Sequence, residues 1–581
     1  MTARSILQVF DQYQKARLNF VKSIAELALR PANIPILDEQ NILELLQPLL
    51  SDVCKQIQNC ATIALGRIIQ NDHTMAKKFT QTHLITLLLA ALPKENKHQK
   101  NSILFVLRSV CKYDPQLANF IVETGALNAV ITCMEDFEPS VQESAAWVIG
   151  YIARHNQNLA KKCIEAGAVP LLIMCLQGPH LTLKQISASA LCDIAKHSIE
   201  QAQNIVDAGA IPYLAKNLSN LDEKLKRQVL AALSACAKHS AELAEVVIEA
   251  EVFPCVFLHM AHACPHVRKN AAGLTRDVVK HTLELTQLIV NTGGIGALME
   301  LLTEDPGEAR IPCITALGYI AGHSDQLAMS VLGCKAIVLL GAILNESKDE
   351  NVLAVTAWTI GQIGKHSPEH AKAVAAANLF PRLVQLYASE ETSEDLKFKC
   401  KLALKLCLQK CLLVAALEPL LYDAPPNILK YVLGQYSKGP WRPPVARRHF
   451  ENVATMLRKP ASEKLYLNTS NLSVVGIQVH RPRRLRTHHH QQRILLDTSP
   501  VSSASVVPPP RPSVVLGEDV VSRQVRKIRE TVQVEDFERL LIGLGGRRDV
   551  ATETAFGDVY HDFFEVYYDV LKARMAAASI T

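Results

Sequence analysis

Imidazoles recur along this chain at one interval. His155, His197, His239, His281 and His323 follow one another 42 positions apart, Asn71 and Tyr113 open the same series, and His366 continues it one residue late. Two chemistries use such rings: metal ligation and proton transfer near neutral pH. Both need several donors gathered at one point. Residues a full repeat apart cannot converge on an ion, and no Asp, Glu or Cys accompanies them at ligand spacing. The series is therefore expected to be structural, each ring ending a helix where a cation or a ring N–H meets terminal carbonyls.

Cysteine is the second candidate for chemistry. All 15 thiols lie between Cys54 and Cys411, none in a C-x-x-C metal pattern, and Cys111, Cys192 and Cys236 fall at core-like places in helical stretches. With no secretory leader recognised, they read as reduced thiols of an intracellular protein. Sequence signatures of zinc proteases, serine hydrolases and kinases are absent, and the acidic residues lie in linkers or outward stripes. The chain is expected to be a non-enzyme with no cofactor, no metal and no small-molecule substrate. No uninterrupted apolar run approaches the roughly 18–20 residues of a membrane span.

The elements that place these residues follow from the same period. Twelve residues after several markers a glycine returns, at Gly125, Gly167, Gly209 and Gly293. From Tyr113 onward, residues 115–123 show helical apolar spacing and stop at Gly125. A second apolar segment covers residues 127–134, the turn from Glu135 to Pro139 breaks it, and a longer helix spans residues 140–154. Asn41, His83 and Asn378 stand in the glycine slot elsewhere and suit positive φ. Glu251 and Lys335 in that slot predict distorted turns. Small residues (Ala145-Ala146, Ala188-Ser189-Ala190, Ala231-Ala232) allow the third helices to stack closely. A three-helix unit with a short first helix and a sharp glycine stop favours armadillo geometry over two-helix HEAT units. The fold expected is all-α, a right-handed armadillo-repeat superhelical solenoid of about eight units. Its divisions are an N-terminal helical cap (residues 1–30), repeats (31–396), a C-terminal helical cap (397–438) and a divergent, largely irregular tail with short helices (439–581).

The recurring AKHS and AGA phrases, the opening Leu7-Gln8-Val9-Phe10-Asp11-Gln12-Tyr13, and the closing Leu417-Glu418-Pro419-Leu420-Leu421-Tyr422-Asp423-Ala424-Pro425-Pro426 resemble the armadillo-repeat proteins of the ciliary central apparatus. The likeness covers roughly residues 1–438 and ends at Gly439-Pro440-Trp441. It implies a scaffold of the axonemal central pair in motile cilia and sperm flagella, needed for motility, with microtubule-associated proteins as partners and a cytoplasmic, cytoskeletal location. An alternative is a soluble adaptor for transport or signalling.

Charge divides unevenly. Residues 439–581 carry 21 Lys+Arg against 15 Asp+Glu, whereas residues 1–438 carry 41 of each. Within the repeats, Lys112, Arg154, Lys196, Lys238, Lys280 and Lys365 form a ladder, broken at Gly322, on the face of helix three opposite its apolar set. Such a row suits an acidic elongated protein partner, tubulin tails being one, although solvated lysines propagated by the repeat would look the same. Importin-type receptors resemble this architecture but carry tryptophan and asparagine four residues apart. Here Trp147 precedes Tyr151, Trp358 precedes Gln362, and Ser189, Ala231, Gly273 and Thr315 fill the other tryptophan places, so a receptor for basic peptides is not expected. Trp147 and Trp358 remain candidates for packing or for anchoring a partner. In the tail, Arg481 to Arg486 with His488-His489-His490 form a basic cluster and Pro508 to Pro512 an extended segment. Residues 518–541 and 558–575 have helical spacing, and Gly543 to Gly546 is a helix stop rather than a phosphate loop. Neither nucleic acid nor membrane is an expected partner.

Overall fold

A computed structural model describes residues 3–436 of the chain. The expected features of the tail lie outside the described residues. Every described element is an α-helix or a short 3-10 turn.

The unit read from Tyr113 is built as Pro115–Glu123, Ala126–Met134 and Pro139–Ala153. Its first helix starts where the Asp114 carboxylate accepts from the Leu117 N–H, with proline at the first turn; this satisfies a donor that the helix itself cannot. The residue after each repeating marker does the same elsewhere: Asp72, Asn156, Ser198, Ser240, Thr282 and Ser324 all cap first helices. Ser367 departs, its hydroxyl meeting His370 Nδ1 at 2.7 Å instead.

The sharp bend between first and second helices is made in most units by one left-handed residue. Gly125, Gly167, Gly209 and Gly293 supply it with φ of 80°, 85°, 79° and 94°. Asn41 and Asn378 adopt it too, at 51° and 53°. His83 does not: its φ is −81°. The Thr82 hydroxyl donates to the Phe79 carbonyl at 2.7 Å and closes that turn another way. Glu251 and Lys335, expected to distort their turns, instead take the same left-handed conformation, at 54° and 61°. Side-chain sterics make that conformation unfavourable by about 1–2 kcal/mol for an L-residue. Lys335 is exposed, so Lys335→Gly removes the strain and no packing. After the entropy that glycine adds to the unfolded chain, a gain of about 0.5 kcal/mol is expected in chemical denaturation; a loss would show that the lysine side chain supports the turn.

Nine three-helix units follow one another among the described residues, from Ile34–Glu39 to Glu394–Leu408. Each third helix packs on the next: Lys55–Asn71, Lys97–Cys111, Pro139–Ala153, Leu181–Ala195, Glu223–Ala237, Pro265–Val279, Arg310–His323, Glu350–Gly364 and Glu394–Leu408. One hydrophobic core runs through them from Val21 to Val432, so no unit closes its own core. Close approach relies on small residues, as where Gly150 lies against Ala190. The helix Ala3–Leu27 packs on Lys55–Asn71 at one end, and Pro426–Tyr436 packs on Glu394–Leu408 at the other. The expected division between residues 396 and 397 falls inside Glu394–Leu408, which stacks as a ninth third helix.

Candidate partner-binding face

The histidine series ties neighbouring units together. His155 Nε2 meets the Cys111 carbonyl at 2.6 Å, His197 that of Ala153 at 2.7 Å, His239 that of Ala195 at 2.8 Å and His281 that of Ala237 at 2.8 Å. His323 reaches Val279 and His366 reaches Ala321, each at 2.7 Å. Each acceptor belongs to the third helix of the preceding unit, and most are its last helical residue. Such carbonyls have no intrahelical donor. Tyr113 Oη, donating to the Ile69 carbonyl at 2.8 Å, and Asn71 Nδ2, donating to that of Ala28 at 2.7 Å, do the same work at the start of the series. A carbonyl only accepts, so the proton sits on Nε2. Burial holds His197, His239, His281 and His366 below the ordinary histidine value, which favours the neutral ring.

Among the described residues no three His, Cys, Asp or Glu side chains are placed to hold a metal ion. Burial pushes the thiols of Cys163, Cys192, Cys236 and Cys407 up to about 12, away from reactive thiolate.

The cation ladder occupies one structural position. Lys112, Arg154, Lys196, Lys238, Lys280 and Lys365 each stand directly after the last residue of a third helix, where positive charge complements the helix dipole by about 0.3–1 kcal/mol. Several are engaged. Lys112 Nζ donates to the Gln70 carbonyl at 3.2 Å and Lys238 Nζ to that of Lys196 at 2.7 Å. Lys196 pairs with Asp193 at 2.6 Å, Lys280 lies 3.8 Å from Asp277, and Lys365 donates to Gln362 at 2.7 Å. Burial lowers the pKa of Lys280 and Lys365. At the break in the ladder, the Lys365 ammonium lies 3.7 Å from where a Cβ on Gly322 would stand.

The two tryptophans lean on neighbouring units. Trp147 stacks on Tyr151 at 5.8 Å between centroids, and Arg108, from the preceding third helix, lies 5.5 Å from its ring and 5.2 Å from that of Phe105. Arg154 covers Tyr151 at 5.2 Å. Burial raises the pKa of Glu143, which accepts from the Thr182 hydroxyl at 2.9 Å. Trp358 meets Tyr319 edge-on at 5.1 Å and fills the notch above Gly318, where a Cβ would lie 2.3 Å from the ring.

This geometry, a stack of three-helix units bent at a left-handed residue, agrees with a direct match of the armadillo/beta-catenin-like repeat family to residues 114–154 and 198–235. The fold is an armadillo solenoid. Its likeness to the crystal structure of an engineered protein spans 68% of this chain and 98% of that one, with a TM-score of 0.61 at 22% identity, and shows the fold alone. The chain is also similar to human sperm-associated antigen 6, at 57% identity over 99 residues, which is 17% of this chain and 19% of that protein. The mouse protein matches at 56% over 99 residues, 17% of this chain and 20% of its own length. Against both relatives, the matched stretch spans about a fifth of their length. The armadillo array and these likenesses together support a repeat scaffold with an interaction role.

Proposed function

We propose that this protein is a non-enzymatic interaction scaffold of the axonemal central apparatus in motile cilia and sperm flagella, needed for motility. The observation that carries the scaffold reading is the unbroken row of nine third helices held in register by side-chain-to-carbonyl ties from one unit to the next. Contacts displayed at fixed intervals on a rigid rod bind an elongated partner with little loss of conformational entropy. The axonemal address rests on the likeness to sperm-associated antigen 6. The partners would be microtubule-associated proteins, with Lys112, Arg154, Lys196, Lys238, Lys280 and Lys365 as cationic contacts and Trp147 and Trp358 as anchors beside them.

Localisation of the tagged full chain in multiciliated or sperm cells tests this directly. Central-apparatus signal supports it; diffuse or nuclear signal favours a soluble adaptor. The ladder is tested by Lys196→Gln, Lys238→Gln and Lys280→Gln together. Glutamine is preferred to glutamate because a carboxylate there would face Asp193 and Asp277 at a helix C-terminus. Lost caps and surface pairs amount to about 0.5 kcal/mol each, so the array should stay folded while recruitment falls about tenfold. Wild-type recruitment by the triple variant would remove the ladder from the reading.

A further inference from the structure

An open groove of about 770 Å³ crosses the third helices at the middle of the array, lined by Lys196, Lys238, Arg276 and Arg310 among others. Small residues make its floor: Ala231, Ser234, Ala235 and Gly273 lie along it, and a Cβ on Gly273 would meet nothing within 4 Å.

Its charges do not cancel. Three acids line it: Asp277, Glu308 and Asp349. Asp277 is held by Arg276 at 2.9 Å and by the Ser234 hydroxyl at 2.6 Å, Glu308 pairs with Lys269 at 2.7 Å, and Asp349 accepts from the Asn351 N–H at 2.8 Å to cap a helix. Arg310 is left over. Among the described residues no carboxylate or carbonyl partners its side chain, and its Nε is buried without a hydrogen bond. Arg310 is also the first residue of Arg310–His323, the helix end where the backbone dipole disfavours a cation. Neither an ion pair nor the helix dipole therefore accounts for an arginine at this place.

The wall that carries Arg310 is fixed in advance. Arg268 Nε donates to Asp305 at 2.8 Å, Asp305 in turn accepts from the Gly307 N–H at 2.6 Å, and the Arg310 N–H closes on the Gly307 carbonyl at 3.2 Å. A planar guanidinium on a rigid wall, facing a groove with an excess of cations, is suited to a bidentate oxyanion.

We propose that this groove is a discrete anion-binding subsite, with Arg310 as its anchor, for an acidic side chain of an extended polypeptide. The idea rests on the scaffold reading for its kind of partner, though not on the axonemal address. Arg310 provides the fork, and Lys238 and Lys196 add charge along the rim. A carboxylate and a phosphorylated hydroxyl share the required oxyanion chemistry.

The test is fluorescence anisotropy with the full chain and labelled extended peptides of glycine alternating with glutamate, with glutamine, or with phosphoserine. The glutamate or the phosphoserine peptide should bind at least about tenfold more tightly than the glutamine peptide, and binding should weaken as salt rises. Whichever acidic peptide binds more tightly identifies the source of the oxyanion. Arg310→Gln should lose about tenfold in affinity for that peptide with an unchanged melt, and Arg310→Lys, which keeps the charge without the fork, about threefold. Equal binding of all three peptides, or wild-type affinity in both variants, would overturn the proposal. Loss of axonemal localisation with peptide binding intact would sink the cellular address alone.

Discussion

Replacing His197, His239 and His281 together by alanine is expected to lower the stability of the array by about 4 kcal/mol. Each ring supplies the hydrogen bond to a helix-terminal carbonyl of the unit before it. Removing it leaves that acceptor short of a partner, at about 1–2 kcal/mol for a partly buried group. The three sites lie a repeat apart and share no partner, so their effects should add. They also fall at consecutive interfaces in mid-array, where weakening the coupling between neighbours divides a solenoid into blocks. Denaturation followed by circular dichroism should therefore show both an earlier midpoint and a broader or stepped transition. A triple variant within about 1 kcal/mol of wild type would mean that water replaces the rings without loss. Asparagine at the same sites should recover part of the stability, because Asn71 already makes this bond.

The same rings set a pH dependence. The folded state holds His197, His239, His281 and His366 below the ordinary histidine value of 6.5. As pH falls through 6.5, the unfolded chain takes up protons that the folded chain resists, so stability is full above that value and declines below it. The melting temperature should drop on acidification from neutral toward pH 5, and the drop should be smaller in the alanine triple variant.

The period of 42 made the unit legible, because equivalent residues in a stack share an environment and so repeat in type. Gly125, Gly167, Gly209 and Gly293 marked their bends correctly for a local reason: a left-handed residue turns the second helix back, and glycine takes that conformation at no steric cost. Direction of contact was not legible. A histidine at a helix end looks the same in sequence whether it serves its own helix or, as here, the helix 44 residues earlier. Glu251 and Lys335 take the left-handed bend without being glycine, and both side chains are exposed, so only the backbone strain opposes them. His83 departs in the other direction, through a threonine turn. The expected boundary after residue 396 lies inside Glu394–Leu408, a ninth third helix that keeps the stacking face but is followed by Gln409 rather than by the histidine signature. Arg310 gave no signal at all: it follows an acidic turn, and only the structure shows that Asp305 and Glu308 are already engaged by Arg268 and Lys269.

Gly361→Val is expected to cost about 3 kcal/mol, localised to the end of the array. Gly361 lies in Glu350–Gly364 where the next third helix crosses, and a Cβ there would stand 2.9 Å from the Ala403 Cα. The obstacle is backbone, which cannot rotate away, so the two helices must separate; overpacking of this kind costs about 1–3 kcal/mol or more. At Gly364 the nearest atom, at 2.4 Å, is the Cys407 sulfur, a side-chain end that can move, so Gly364→Ala should be milder. Helix propensity argues the other way, since replacing a mid-helix glycine can gain up to about 1 kcal/mol. The sign of the change therefore decides whether packing or propensity rules this interface. Because units couple only to neighbours, hydrogen exchange should accelerate in Glu394–Leu408 and Pro426–Tyr436 while Lys97–Cys111 keeps its protection. Uniform acceleration along the chain, or a variant as stable as wild type, would show that the final unit is not held by this contact.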